Sequence, residues 1–248
     1  MKQEEHKRRK RRVSPLKKIL IELGFAILVF AISATPFFNV KKFTVDGGQY
    51  YCDEEILVMG NCKTGRNIFW GSNLKDIETR LLKDSYIESV KIKRKLPDIV
   101  QISVKERTQV AAVMYGNNYV VVDDSGLVLR KTEVEPQVTL VQGLTISKIE
   151  VGVPIEVEEK VKLRQTLELI NTANSHDMYF TKVVMTKAGV NAYVLENLIC
   201  QGSPQNIMEA LKNESVQKVV ASLFEKNIER GVVKISGGEY ISFNPSVE

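Results

Sequence analysis

Serine and lysine residues in this 248-residue chain occur at spacings that acyl-transfer enzymes use. In penicillin-binding transpeptidases the nucleophilic serine is followed three positions later by a lysine, and Ser-x-Asn and Lys-Thr-Gly motifs complete the site. Ser215 and Lys218 fit the first motif. Ser242 and Asn244 fit the second, and Lys63 begins the third. If the three motifs met in the fold, Ser215 would be the candidate nucleophile of an acyl-enzyme.

The order of these motifs argues against that chemistry. Lys-Thr-Gly precedes the other two here, whereas in the transpeptidase fold it lies on a strand that follows them. Ser215 also lies too close to the end of the sequence for its domain, and Ser14 and Ser72 fit the serine–lysine spacing equally well. His176 has no Ser, Cys or metal-ligand pattern around it. We therefore expect no enzyme and no catalytic residue, and a transpeptidase is the least favoured alternative.

The three cysteines Cys52, Cys62 and Cys200 are an odd number without metal-binding spacing. Cys52 and Cys62 flank a segment, 53–60, that we predict to be a short helix. Such a helix would hold the two Cα atoms about 15 Å apart, against a disulfide limit of about 7 Å. We expect no disulfide between them, and the sequence has no cofactor-binding motif and no metal site.

Positive charge is concentrated at the start of the chain. Residues 1–18 carry a net charge of +7, and the remaining residues carry a net charge of −2. Residues 19–38 are mostly apolar and carry no charge except Glu22, and as a helix they would span roughly 30 Å, about one bilayer core. A basic cluster directly before an apolar span holds the N-terminus in the cytoplasm. The pattern predicts a single-pass membrane protein with its C-terminus outside.

A cleaved signal peptide is the alternative interpretation of the same segment. Ala31 and Ser33 form a passable cleavage site, and Pro36 would end a short apolar core. The long polar lead and the apolar Phe37 and Phe38 favour retention. Both interpretations export residues 39–248, so we exclude nucleic acid as a partner.

Residues 90–107 alternate between apolar and polar side chains on either side of a Pro97-Asp98 turn, and the polar positions before the turn are lysines. This pattern predicts a β-hairpin with one apolar and one basic face. Upstream, 43–47 predicts a strand, 53–60 a short helix and 74–85 an amphipathic helix. The strand-helix-helix-strand-strand order describes a small sheet with two helices on one face. The lysines of the basic face, which are either solvated or bound to an anionic partner, are Lys91, Lys93 and Lys95.

A second region begins near residue 108. Residues 119–130 predict a hairpin that turns at 124–126, and 156–172 predict a helix with a buried stripe that includes Val157 and Val161. Three short strands follow around 183–185, 190–195 and 198–200. Ser203 and Pro204 open a helical region that extends to residue 230, with a possible break at 213–215. Two short strands around Gly237 end the chain. The fold class is therefore α+β.

These features together resemble the FtsQ/DivIB family of bacterial cell-division proteins. The basic tail, the span and the sequence FFNVKKFTVDG come first, followed by residues 66–113 and the VVVDDSGLVL hairpin. In the family, the POTRA domain has a strand ending in a basic-Leu-Pro-Asp turn, and the next strand ends in Val-x-Glu-Arg. The matching residues here are Lys95, Leu96, Pro97, Asp98, Val104, Glu106 and Arg107.

The resemblance implies a non-enzymatic membrane scaffold at the division septum that regulates septal cell-wall synthesis. Its expected partners are FtsL, an FtsB/DivIC-type protein and the septal transpeptidase complex, with membrane lipid around 19–38. A POTRA-bearing export or membrane-assembly factor is the second interpretation. The predicted domains are a cytoplasmic tail at 1–18, a transmembrane helix at 19–38, a POTRA domain at 39–107 and a mixed antiparallel β domain with helices at 108–248.

The last two strands are the candidate partner-binding site. A terminal strand keeps unpaired N–H and C=O groups on one side, which invites strand addition, and the resemblance places the FtsB/DivIC contact near this end. Tyr240 and Ser242 should share one face, with Ile241 and Phe243 on the other. A closing hairpin without a ligand is the alternative. The candidate residues are Val232, Lys234, Tyr240, Ser242 and Phe243.

Overall fold

The computed structural model describes residues 15–238 and 240–245. Most of the predicted basic tail therefore lies outside the described residues. The chain divides into two compact units. The first unit comprises the chain up to Leu81 together with Val90–Val104, and the second comprises Leu82–Ser89 and everything from Lys105 onward.

The first helix, α1, spans Pro15–Ser33 and is followed by a short 3₁₀ turn, Pro36–Phe38. The predicted helix over 19–38 therefore ends five residues early. The reason is local: the Ser33 and Thr35 hydroxyls donate to carbonyls of the last turn, and Pro36 cannot supply a helical N–H. Among the helices of the described residues, none combines the length and the apolarity needed to cross a membrane.

A three-stranded sheet with two helices follows α1. Its strand order is β1-β3-β2, and β1 runs parallel to β3, with Phe43 opposite Val100. The observed order of elements agrees with the predicted strand-helix-helix-strand-strand arrangement. The elements are β1 (Lys42–Asp46), α2 (Asp53–Met59), α3 (Leu74–Leu81), β2 (Ile87–Lys95) and β3 (Ile99–Glu106).

The apolar face of this sheet supplies the core of the first unit. Val100 and Ile102 are fully buried, as are Ile56 of α2 and Leu81 of α3. The helix predicted over 74–85 ends at Leu81, because the Asp84 carboxylate accepts the N–H of Tyr86 and begins a turn there.

The second unit contains a mixed nine-stranded sheet. Its strand order is β14-β13-β12-β11-β10-β7-β4-β5-β6, with parallel pairs at β12/β13, β10/β7 and β4/β7. The predicted hairpin and three short strands are present, whereas β4, β7, β8 and β9 were not predicted. The nine strands are β4 (Ala111–Tyr115), β5 (Asn118–Val122), β6 (Val128–Thr132), β7 (Thr139–Gln142), β10 (Lys182–Met185), β11 (Val190–Tyr193), β12 (Leu198–Gly202), β13 (Gly231–Ile235) and β14 (Ile241–Asn244). A separate two-stranded sheet consists of β8 (Ile146–Lys148) and β9 (Glu156–Val157).

Three helices belong to this unit: α4 (Lys160–Ser175), α5 (Pro204–Lys212) and α6 (Ser215–Glu225). The helix predicted from 156 begins four residues later, because Glu156–Val157 pairs with β8 as a strand. Val161, predicted to be buried, is 60% exposed. The prediction for α5 is confirmed, since the Ser203 hydroxyl accepts the N–H of Asn206 at its N-cap. The helical region also breaks after Lys212, as predicted.

Candidate partner-binding edge

The strand β14 lies at one edge of the nine-stranded sheet. It pairs antiparallel with β13, and the register places Ser242 opposite Lys234 and Phe243 opposite Val233. Among the described residues, no strand lies on the other side of β14. This edge is therefore available for another strand.

The register identifies which backbone groups of β14 point outward. The N–H of Ser236 donates to the carbonyl of Tyr240, so Tyr240 faces β13. Because backbone direction alternates along a strand, Ser242 also faces β13, and Ile241 and Phe243 turn their N–H and C=O groups away from it. On the opposite side of β13, the N–H of Gly231 donates to Asn197 just before β12, which agrees with this alternation.

The side chains of the edge hairpin separate into two faces. Tyr240 is 80% exposed, and Ser242 and Lys234 are exposed on the same side, together with the half-buried Val232. The side chain of Phe243 lies on the other face and packs against the core. Four of the five candidate residues therefore share the exposed face, while Phe243 contributes its outward backbone groups.

The exposed face continues inward as a polar row across four strands. Lys234 is in register with Gln201 of β12, which in turn is opposite Asn191 of β11. The Gln201 amide donates to the Asn191 side-chain oxygen at 3.1 Å. With Ser242 at the edge, this row offers hydrogen-bonding groups beside the open strand. The alternation of residue types along each strand does not reveal the row, because it depends on pairing between distant strands.

The resemblance residues of the hairpin turn connect it to the first strand. The Asp98 carbonyl accepts the N–H of Lys41 at 2.8 Å, and its carboxylate lies 2.8 Å from the Lys41 ammonium. Lys95 and Leu96 are exposed, and the Leu96-Pro97 peptide bond is cis. These residues shape the turn and tie it to the residue before β1.

The other resemblance residues lie at the end of β3. Val104 is buried in the first unit, and Glu106 is half-buried. Arg107 donates to the Asp123 carboxylate at 2.8 Å. Asp123 is only 1% exposed and also accepts the N–H groups of Ser125 and Leu127. Arg107 therefore holds the turn that leads from β5 to β6.

The residues that fit transpeptidase spacing occupy ordinary structural positions. Ser215 begins α6, and Lys218 lies 3.6 Å from Glu214 one turn away. Ser242 lies on β14, while Lys63 belongs to the first unit. His176 ends α4, and its ring Nδ1 lies 3.0 Å from the Thr172 carbonyl oxygen.

The cysteines are free thiols. Burial raises the pKa of Cys200 to about 12 and that of Cys62 to about 11, so both are protonated at neutral pH and are poor nucleophiles. Over 15–238 and 240–245, no cluster of three His, Cys, Asp or Glu side chains is placed to hold a metal ion.

Comparison with known proteins agrees with this architecture. Residues 38–107 match the POTRA domain, FtsQ-type. The chain is 30% identical over 239 residues to the cell division protein DivIB of Clostridium acetobutylicum, covering 93% of this chain and 92% of that protein. It is 31% identical over 183 residues to DivIB of Clostridium botulinum strain Hall, covering 71% and 70% of the two chains. It is also 30% identical over 138 residues to the cell division protein FtsQ of Syntrophotalea carbinolica, covering 50% and 48%.

A POTRA domain followed by a large mixed sheet defines the class of this protein. With the first of these similarities extending over nearly the whole length of both chains, the chain belongs to the FtsQ/DivIB family of bacterial cell-division proteins.

Proposed function

We propose that this chain is a non-enzymatic scaffold of the bacterial division machinery. It holds extracytoplasmic division proteins at the membrane and so regulates cell-wall synthesis at the septum. Family membership supports the division role. The observation that carries the scaffold mechanism is the open β14 edge of the nine-stranded sheet.

The membrane attachment is part of this proposal. The basic residues before the apolar run 19–38 favour a cytoplasmic N-terminus and an external C-terminus. The large apolar side chains of α1 are 49–71% exposed on all sides of the helix, which is unfavourable in water and suits a lipid surround. Apolar residues continue past α1 through Phe37 and Phe38, which extends the apolar segment beyond the helix.

The partner in this proposal is a strand of an FtsB/DivIC-type protein, which acts together with FtsL and the septal transpeptidase complex. The strand would bond to the outward N–H and C=O groups of Ile241 and Phe243, which supply affinity without side-chain specificity. Its side chains would lie beside Tyr240 and Ser242, where selectivity arises. Tyr240 is a suitable anchor because a large exposed ring buries apolar area when covered.

Site-specific photo-crosslinking tests this assignment. A photoreactive phenylalanine analogue replaces Tyr240 in the full-length chain, and the same analogue replaces Tyr179 as a control. Tyr179 belongs to the same unit and is 49% exposed, but it lies before β10, away from the edge in strand order. We expect the purified FtsL and FtsB/DivIC-type pair to be captured from position 240 and not from position 179. Equal capture from both positions would place the contact elsewhere.

A truncation gives the second arm of the test. A chain that ends at Gly238 loses β14 but keeps β13, whose Val233 and Ile235 are buried in the core. Ending the chain at Gly231 would instead remove that buried strand. We expect the chain that ends at Gly238 to stay folded by circular dichroism and to lose the partner pair, whereas Tyr240→Ala should weaken binding by about 1–3 kcal/mol.

A further inference from the structure

The loop 66–72 of the first unit exposes two large aromatic side chains. Trp70 is 63% exposed and Phe69 is 37% exposed, and nearby Phe37 is 62% exposed. A protein in water gains nothing from presenting such rings together. Exposed aromatic side chains grouped in this way indicate a surface that contacts another apolar phase or molecule.

The loop is built to hold these rings outward. The side chain of Ile68, which precedes the two aromatic residues, is fully buried. The Ile68 N–H donates to the Phe38 carbonyl at 2.8 Å, and the Ile68 carbonyl accepts the Arg94 Nε–H at 2.7 Å. The Asn67 side-chain oxygen accepts the N–H groups of Phe69 and Trp70 at 2.9 and 3.2 Å. The two aromatic positions are thus fixed by bonds on the inner side of the loop.

The loop is also joined to the end of α1. The Asn67 amide donates to the Ser33 carbonyl at 2.8 Å, and the Trp70 indole N–H donates to the Ser33 hydroxyl at 3.1 Å. The Trp70 ring packs on Phe30 with centroids 5.1 Å apart. Both residues therefore belong to one surface that begins on the apolar helix and continues onto the folded domain.

We propose that this surface binds lipid, with the side chains of Phe69 and Trp70 in the headgroup layer of the outer leaflet beside α1. The proposal rests on the membrane anchor proposed above. Tryptophan favours this depth because its ring is apolar and its N–H needs a partner, and here Ser33 supplies that partner. The exposed Arg66 begins the loop and the exposed Lys63 precedes it, and both positive charges suit anionic headgroups.

The chain contains a single tryptophan, so its fluorescence reports on this site alone. The full-length protein is reconstituted in phosphatidylcholine–phosphatidylglycerol vesicles whose acyl chains carry bromine either near the headgroup or near the methyl end. We expect headgroup-side bromine to lower Trp70 emission about twofold, because the indole lies at the interface. Deep bromine should quench less, and acrylamide should quench less than in the unfolded chain.

A matched control moves the only tryptophan to the second unit. In the Trp70→Phe/Tyr179→Trp variant, emission should respond to acrylamide and not to bromine. A third variant, Asn67→Ala, removes the side-chain hydrogen bonds to the N–H groups of Phe69 and Trp70 and to the Ser33 carbonyl. It should reduce bromine quenching of Trp70 while the circular dichroism spectrum stays unchanged.

Protease protection of residues 19–38 is measured on the same vesicles. If residues 19–38 are protected but Trp70 is insensitive to both bromine positions, the proposed lipid contact of the loop is wrong and the membrane anchor is retained. If residues 19–38 are not protected, both the anchor and the lipid contact are wrong. Trp70 shielded from acrylamide but insensitive to bromine would mean that a second copy of the chain covers the surface, which also refutes lipid contact.

Discussion

At the scale of single residues, Asp123 is a carboxylate that is almost completely buried. Its carboxylate is 1% exposed and accepts the backbone N–H groups of Ser125 and Leu127 and the Ser125 hydroxyl, while Arg107 is its ion-pair partner. A buried carboxylate is stable only when it is paired and fully hydrogen-bonded. Arg107 therefore contributes to the fold of the second unit rather than to binding at its edge.

The Arg107→Ala variant should lower the free energy of unfolding by about 3 kcal/mol, because it leaves the Asp123 charge buried without its partner. Urea denaturation measures the change. Lys105→Ala is the control, since its pair with Glu88 is exposed and should cost below about 0.5 kcal/mol. Adding Asp123→Asn to Arg107→Ala should recover part of the loss. Equal midpoints for the Arg107 and Lys105 variants would contradict this role.

Of the Arg107–Asp123 ion pair, the sequence identified Arg107 as a residue of interest but not Asp123. Arg107 is identified through the Val-x-Glu-Arg resemblance, whereas Asp123 is assigned only to a strand before a turn. The carboxylate becomes buried because the β5–β6 hairpin closes over it, and that packing leaves no local signal in the sequence. The Asp-Asp-Ser-Gly run was the available hint, since aspartate side chains bond to backbone N–H groups in turns.

At the scale of elements, the hairpin of β2 and β3 has one buried and one solvent-facing side. Ile102 is fully buried, whereas Lys93 on β2 is exposed. Ile102→Asp should therefore destabilise the domain by about 3–5 kcal/mol, because it buries an unpaired charge. Lys93→Asp should cost below about 0.5 kcal/mol. Chemical denaturation of both variants measures the difference, and similar losses would show that the face assignment is wrong.

The elements that sequence predicted best are those with a local cause. The α5 start at Ser203-Pro204 needs only an N-cap and a proline, and both act within one turn. The start of α4 was misplaced because Glu156–Val157 pairs with β8, and pairing overrides helical periodicity. The order of the nine strands likewise depends on parallel pairs between strands that are distant in sequence, such as β4 and β7.

At the candidate binding edge, too, the sequence predicts what is local and not what depends on strand pairing. Alternation along 240–243 was enough to assign its faces, and the structure agrees with Tyr240 and Ser242 facing solvent. The direction of each N–H depends on the register with β13, which the sequence does not contain. A Ser242→Pro variant, for example, would break a bond to β13 rather than remove an outward donor.

For the whole molecule, the proposed topology predicts a protease-digestion pattern. A protease added outside intact protoplasts should digest residues 39–248 and leave a small stub with the apolar segment. In that topology the bilayer would shield only the segment 19–38 and what precedes it. Immunoblotting with an N-terminal tag measures the stub. A mature protein free in the medium and starting near Ala34 would establish cleavage instead.

The two edges of the nine-stranded sheet differ in a way that limits assembly. At the β6 edge, Val128 donates to the Val153 carbonyl and accepts the N–H of Gly152, and Leu127 bridges to Pro154. The chain's own loop thus covers the start of β6, while among the described residues no strand lies on the outer side of β14. The two edges are therefore not equivalent, and β14 is the edge at which a second strand can pair along its whole length. One molecule would then supply one binding site for a partner strand.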